Sequence, residues 1–399
     1  MASPSAQSKN MKKLMEMAIV IGGGTVFYGI YAVYSGNEKM YTNVVMPVVK
    51  LLDAETAHNF AVKAAKYKLV PRPRVPDPAC LQTRVWDREF SNPIGLAAGF
   101  DKHGEAVDGL LKMGFGFVEV GSVTPLKQPG NEKPRVFRLL EDEGIINRYG
   151  FNSDGHDTVY SRLKFRESEP RVGAKGCMGV NLGKNKLSAY PVDDYVQGVK
   201  KFGKVADYLV VNISSPNTPG LREMQGREQL ENLIHVVSLE RNKLRLTRKP
   251  PLLVKIAPDL SDKDKEDIAA VVTKDNRVDG LVISNTTVSR PHSLQSLNKS
   301  EVGGLSGSPL KDLATTTIHD MYRLTEGKLP IIGVGGISSG KDAYEKIKAG
   351  ACLVQIYTAL IYQGPPVIAR IKRELGELIR KDGYTSVEEA VGVDHKKKS

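Results

Sequence analysis

The residues best equipped for chemistry stand together in the stretch Asn212-Ile213-Ser214-Ser215-Pro216-Asn217-Thr218-Pro219-Gly220-Leu221. Asn side chains both donate and accept hydrogen bonds, and a Ser hydroxyl can give or take a proton. Pro216 and Pro219 fix the backbone and Gly220 lets it turn, so the polar side chains can be held in one arrangement. That set suits a small, planar ligand with several carbonyl and N–H groups. Ordinary turns use the same residue types, so the stretch alone leaves both possibilities open. Lys255 adds a second signal, because it lies inside the apolar run Leu252-Leu253-Val254-Lys255-Ile256. A buried ammonium is costly unless an anion pairs with it. Lys102, next to Asp101, raises the same question. A third signal is Gly333-Val334-Gly335-Gly336-Ile337-Ser338-Ser339-Gly340, whose glycines free backbone N–H groups to face a phosphate. Metal chemistry has no candidate ligands. The three cysteines, Cys80, Cys177 and Cys352, match no zinc or redox spacing, and the seven histidines show none either.

These residues need a frame, and the hydrophobic pattern supplies one. Apolar, β-branched runs at 92–97, 117–123, 178–182, 208–214, 252–256, 280–285, 330–335 and 353–357 read as buried strands. Amphipathic segments such as 262–272 and 310–324 separate most of them. Eight strands with helical crossovers predict an α/β fold, a (β/α)8 TIM barrel. An open doubly wound sheet is the alternative, but no G-x-G-x-x-G follows the first strand. The strand ends turn polar in register: Ala98-Gly99 with Asp101-Lys102, Ser122, Asn181, the 212–221 stretch, Lys255, and Ser284-Asn285-Thr286. Barrel enzymes build their sites at those ends and seat phosphates after strands seven and eight, here Gly336 and Tyr357-Thr358. The connection 125–171 is too long for one crossover. Its segments 135–139 and 145–151 predict two short strands laid over the barrel mouth.

The chain has 399 residues, of which 41% are hydrophobic and 26% charged, an ordinary globular balance. Its net charge of +12 is dispersed, without the clustered basic and aromatic residues of a nucleic-acid binder, and fits an anionic membrane or ligand better. Residues 1–17 are basic and nearly free of acids, like a mitochondrial targeting segment. Residues 18–34 are almost wholly apolar, at the short limit for a transmembrane helix. Residues 37–71 predict a helical hairpin: the first helix is apolar nearly all round, Asp53 caps the second, and Ala57, Phe60, Ala61, Ala64 and Ala65 share one face. A stiff, proline-rich linker, 72–89, leads to the barrel, 90–395.

Taken together, the stretches 92–104, 114–125, 147–153, 179–186, 207–221, 254–260, 285–291, 303–310, 330–340 and 354–359 make the chain resemble the class 2, membrane-associated, quinone-dependent dihydroorotate dehydrogenases of the animal mitochondrial type. The resemblance implies oxidation of dihydroorotate to orotate in pyrimidine biosynthesis, with electrons passing through FMN to ubiquinone. It implies Ser215 as the base. Lys102, Asn147, Arg148, Tyr149, Gly150, Phe151, Asn212, Asn217, Asn285 and Thr286 would hold the pyrimidine. Ala98, Gly99, Ser122, Asn181, Asn212, Lys255, Ser284, Gly307, Gly336, Tyr357 and Thr358 would hold FMN. Ser284 stands where relatives carry Thr. His58, Arg138 and Tyr357 would line the quinone site, reached through the hairpin. The implied setting is a single-pass protein of the mitochondrial inner membrane, monomeric, with no nucleic-acid partner. Two alternatives stay in view: a soluble-type enzyme using fumarate or NAD, which carries a cysteine base, and a non-catalytic, membrane-tethered barrel that binds a nucleotide.

Overall fold

Eight parallel strands close on themselves in the computed structural model, which describes residues 6–168 and 176–396. They are β1 (Ile94–Leu96), β2 (Phe117–Val123), β3 (Cys177–Leu182), β4 (Tyr208–Asn212), β5 (Leu252–Ile256), β6 (Gly280–Ile283), β7 (Ile331–Val334) and β8 (Leu353–Ile356). Each pairs with the next in sequence, and β8 pairs with β1. The architecture is the expected (β/α)8 barrel. Side chains alternate along each strand. Val118, Val180, Leu209, Val254, Leu281 and Val354 point outward and pack beneath the helices. Phe117, Tyr208, Leu253, Val282, Ile332 and Leu353 point inward and fill the lower interior. Gly179 makes room for this filling, since a Cβ there would lie 2.1 Å from the Tyr208 ring.

Residues 72–89 carry more structure than the expected linker. After the prolines, Thr83–Val85 and Arg88–Phe90 form an antiparallel hairpin across the barrel floor. Phe90 meets Phe117 edge-on at 5.6 Å, and Trp86 leans on Tyr208 at 5.9 Å. Glu388, near the C-terminus, accepts hydrogen bonds from the Arg84 N–H (2.8 Å) and the Thr83 hydroxyl (3.0 Å), fixing this floor from below. The hairpin turns on Trp86 and Asp87, both at positive φ, without the Asn-Gly or Asp-Gly signal that usually marks such a turn.

Above the mouth, the two expected strands form as Val136–Leu139 and Gly144–Asn147. A third, Gly304–Gly307, joins them from the connection after β6. The N-terminal segment is one helix, Ala6–Tyr34, running through both the expected targeting segment and the expected span. Residues 1–5 of that targeting segment lie outside the described residues. Asn10–Tyr34 is long and apolar enough to cross a membrane.

The helical hairpin follows. Asn37 caps a first helical stretch, Glu38–Met40, which continues through a π-turn at Tyr41–Val45 into Met46–Lys50. Asp53 caps the second helix, Ala54–Lys66, by accepting from the Thr56 N–H at 2.9 Å. Its buried arc runs through Glu55, Ala57, Val62 and Ala65. Phe60, expected on that face, is 66% exposed, because at about 100° per residue it falls about 60° past Ala57, outside the arc. Two contacts clasp this helix to the barrel. A Cβ at Gly109 would lie 1.8 Å from the Ala65 carbonyl oxygen, so the helices touch backbone to backbone. Glu55 accepts from Arg135 at 2.8 and 3.2 Å in a buried, two-pronged ion pair with the mouth sheet.

Candidate active site

β4 ends at Asn212, and its amide organises the cavity wall. Its Nδ2 donates to Ser122 Oγ (2.9 Å) and Asn181 Oδ1 (3.1 Å), while its Oδ1 accepts from Ser214 Oγ (2.9 Å). Asn285 Nδ2 donates to Ser214 Oγ at 3.0 Å, and Ser122 donates to Asn181. Asn181 in turn donates to Glu119 at 2.8 Å. Ser215 faces the cavity and is 7% exposed; its Oγ accepts a long hydrogen bond, 3.3 Å, from the Asn217 N–H. Asn217 Nδ2 donates to the Asn147 carbonyl at 3.1 Å, tying the loop to the mouth sheet. The Thr218 hydroxyl is buried without a hydrogen-bond partner among the described residues. Arg222 pins the loop from behind, donating to Ser214 O (3.0 Å), Asp259 (2.9 Å) and Thr286 O (2.9 Å).

Two buried lysines face the same space. Lys102 donates to Gly99 O at 2.6 Å, lies 3.3 Å from His58 Nε2 and sits over the Tyr149 ring at 4.0 Å. Burial pulls its ammonium down to about 7, against the opposing field of Glu55. Lys255 has no hydrogen-bond or ion-pair partner among the described residues, and burial holds its proton affinity below the usual lysine range. An unpartnered ammonium aimed into a cavity is an anion-binding feature.

The glycine loops converge on the far wall. Gly307 and Gly336 both have positive φ. A Cβ on Gly336 would come 2.4 Å from the Lys311 backbone, and one on Gly307 2.3 Å from Glu143 O. Only glycine fits this close approach of two loops. Thr358 opens the helix Thr358–Gln363 and shares a hydrogen bond with Ser306 at 2.9 Å. Tyr357 donates to Gly99 O at 3.2 Å.

The same cavity extends under the helical hairpin, where Ala54, His58, Val136, Arg138 and Tyr362 line it. His58 packs edge-on against Phe100 at 5.1 Å, and its Nδ1 is buried without a hydrogen-bond partner among the described residues. Burial, with Lys102 beside it, holds this imidazole neutral. Arg138 Nη1 caps the first helical stretch by donating to Leu52 O (2.6 Å) and Lys50 O (3.3 Å), and its Nε has no hydrogen-bond partner among the described residues.

The family model for dihydroorotate dehydrogenase matches residues 80–379. The chain belongs to the dihydroorotate dehydrogenase family. Within that family it is similar to the quinone-dependent members. It is 54% identical to the mitochondrial dihydroorotate dehydrogenase (quinone) of Mus musculus, over 97% of this chain and 98% of that one. It is also 54% identical to the mitochondrial protein of the same name from Oryza sativa, over 94% and 85% of the two chains. A crystal structure of the Eimeria tenella dihydroorotate dehydrogenase in complex with ferulenol superimposes with a TM-score of 0.84 at 44% identity, covering 88% of this chain and 99% of that one. Dihydroorotate dehydrogenases are in general flavin-dependent.

Against this family frame, the cavity gathers most residues expected from sequence: Ser215, Lys102, Asn147, Tyr149, Gly150, Phe151, Asn212, Asn217, Asn285 and Thr286, with Ala98, Gly99, Ser122, Lys255, Ser284, Gly307, Gly336, Tyr357, Thr358, His58 and Arg138. Two stand apart. Arg148 turns away to Glu301 (2.6 Å) and the Phe137 ring, because successive side chains of an extended segment alternate in direction. Asn181 does not line the cavity; it stands behind Ser122 and Asn212 and orients them. Sequence reasoning missed Glu119 and Gln355, polar residues inside apolar strands, and the Arg222–Asp259 brace. The in-and-out alternation along β2 and β8 could have exposed the first two.

Proposed function

We propose that this one cavity holds FMN and the pyrimidine together, and that the opening under the hairpin admits the quinone. The enzyme oxidises dihydroorotate to orotate in pyrimidine biosynthesis and passes the electrons to ubiquinone. The observation that carries the site assignment is that a serine-and-amide wall, a glycine cradle and an unpartnered lysine all face one space. The residues fit a flavin mononucleotide: Gly307, Gly336 and Thr358 suit its phosphate, Lys255 an electron-rich ring edge, and Ser122 and Asn212 its polar atoms. FMN, when bound there, supplies the two-electron acceptor that no side chain can provide.

The chain's own residues do the rest. Asn147, Asn212, Asn217 and Asn285 match the donors and acceptors of the pyrimidine, and Lys102 meets its carboxylate. Ser215 takes the C5 proton. Serine is a weak base in water, so it depends on a closed site and on a path for the proton. The buried, unpartnered Thr218 hydroxyl in the same loop provides the first step of such a path. Lys255 stabilises negative charge that develops next to it.

His58, Arg138 and Tyr357 form the polar lining of the quinone route. The hairpin, 37–71, stands between that route and the apolar helix, whose exposed side chains suit a bilayer. This supports a single-pass anchor in the mitochondrial inner membrane, with residues 1–17 addressing the chain there. One chain supplies every residue assigned to the site, which is compatible with a monomer. The serine at the base position and the quinone-dependent relatives both weigh against the soluble type. The test is direct: the purified protein should be yellow, bleach on adding dihydroorotate under nitrogen, and recolour on adding a short-chain ubiquinone. A colourless protein, or one bleached by dihydroorotate but recoloured only by fumarate or NAD, would overturn it.

A further inference from the structure

Glu119, midway along β2, is 0% exposed inside the barrel, and nothing so far gives it a task. Its carboxylate accepts from Asn181 Nδ2 (2.8 Å), Tyr208 OH (3.1 Å) and Gln355 Nε2 (2.7 Å). All three donors are neutral side chains. They do not cancel its charge, and an ion wholly removed from water needs an opposite one. Lys255 on β5 has the complementary problem: it is 5% exposed and makes no ion pair among the described residues. Side-chain alternation sends Glu119 and Lys255 into the same interior, one layer above Phe117 and Leu253. We propose that Glu119 is the buried counter-charge that keeps Lys255 protonated within the barrel and thereby fixes how the flavin potential responds to pH. This rests on the proposed contact between Lys255 and FMN.

The surroundings favour the assignment. Among the described residues, the other titratable groups packed in this interior are Tyr208 from β4, Cys177 from β3, Cys352 before β8 and Tyr357 after it. Burial pushes the proton affinity of all four upward, Cys352 to about 12, so they stay neutral near pH 7. Burial lowers the proton affinity of Lys255, and Glu119 is the one group that raises it. Glu119 is therefore a positioning residue: it touches neither substrate nor cofactor and acts through Lys255.

The experiment is spectroelectrochemistry of the intact, flavin-loaded protein, with the two-electron midpoint measured from pH 6 to 9. In the wild type Lys255 stays charged in both redox states and adds nothing to the slope. In Glu119→Gln, Lys255 loses its proton when the flavin is oxidised and regains it on reduction. One extra proton per two electrons steepens the slope by about 30 mV for each tenfold change in proton concentration. Glu119→Asp keeps the charge and should keep the wild-type slope. A role in shape alone would move the midpoint, or the FMN dissociation constant, without changing the slope, and that result overturns the proposal. Lys255→Met separates the two layers of the argument. If it alters FMN affinity or potential while Glu119→Gln leaves the slope unchanged, only the role of Glu119 fails. If Lys255→Met changes neither quantity, the placement of Lys255 at the flavin fails and this proposal with it. Should Glu119→Gln not fold, the double variant Glu119→Gln/Lys255→Met decides. Removing both charges should restore folding if the fault is an orphaned ammonium. A double variant that is no better than the single one would refute the pairing.

Discussion

Replacing Ser215 with alanine should separate catalysis from folding more cleanly than any other change in the site. The hydroxyl accepts one weak bond, 3.3 Å from the Asn217 N–H, and buries little that alanine does not also bury. A hydrogen bond of that kind contributes at most about 1 kcal/mol, so the melting temperature should move by only a few degrees. The Asn212, Asn217 and Asn285 amides remain in place, so FMN retention and orotate affinity should stay within a few-fold of wild type. Loss of the base is different in scale. General-base assistance is worth about 100- to 10,000-fold, or about 3 to 5 kcal/mol of barrier. Stopped-flow mixing with saturating dihydroorotate should show flavin bleaching slowed by that factor, while reoxidation of pre-reduced protein by quinone proceeds normally. Bleaching within twofold of wild type would refute the role of Ser215. Loss of orotate binding alongside the rate would instead mean that the loop had collapsed and that the hydroxyl holds its shape.

Two further expectations concern the two ends of the cavity. Lys102 should make orotate affinity depend on pH: burial brings its ammonium to about 7, and a carboxylate ligand needs the charged form. Affinity of the oxidised enzyme should therefore be level below about pH 7 and fall as pH rises, by up to about tenfold per unit; titration of the flavin absorbance checks this, and Lys102→Ala should give weaker, flatter binding. At the hairpin, Ala54→Trp or Arg138→Ala should slow flavin reoxidation by quinone several-fold and leave bleaching by dihydroorotate near normal in rapid-mixing traces. The opposite pattern would move the quinone route elsewhere. Ala54 is the residue to enlarge, since Ala57 and Ala61 do not line the opening.

The barrel was legible because its strands are apolar, regularly spaced and interrupted by polar clusters at matching ends. Its floor was not, because Thr83–Val85 and Arg88–Phe90 are too short to show a period and turn through Trp86 and Asp87 instead of the usual glycine. The third mouth strand, Gly304–Gly307, was hidden for a related reason: three of its four residues are glycine or serine, and its pairing partner lies far away in the chain. In the site, residues at strand ends could be read from their abrupt polarity. Lys255 stood out as a charge in an apolar run. Glu119 has the same signature in Phe117-Val118-Glu119-Val120, yet shows its meaning only when Asn181, Tyr208 and Gln355 converge on it from other strands. Arg148 shows the reverse limit, since a chain segment can be assigned to a site while one of its side chains points elsewhere.

The floor hairpin also has a bearing on how the chain is made. The pieces that close the barrel come from its two ends: β1 needs β8, and Thr83 and Arg84 need Glu388. Synthesis runs from the N-terminus at about 5–20 residues per second, so the helix Ala6–Tyr34 emerges well before its own domain can close. For that interval the hairpin beneath the interior layer of Phe117, Tyr208 and Leu253 lacks its Glu388 contacts, and pairing so distant in sequence is slow to form. A nascent chain tethered by its first helix is thus held near a membrane with an open, apolar-lined half-barrel. The final few residues are less a tail than the latch that ends this exposure, and a truncation before Glu388 should leave chains that depend on chaperones even though every strand and every active-site residue is present.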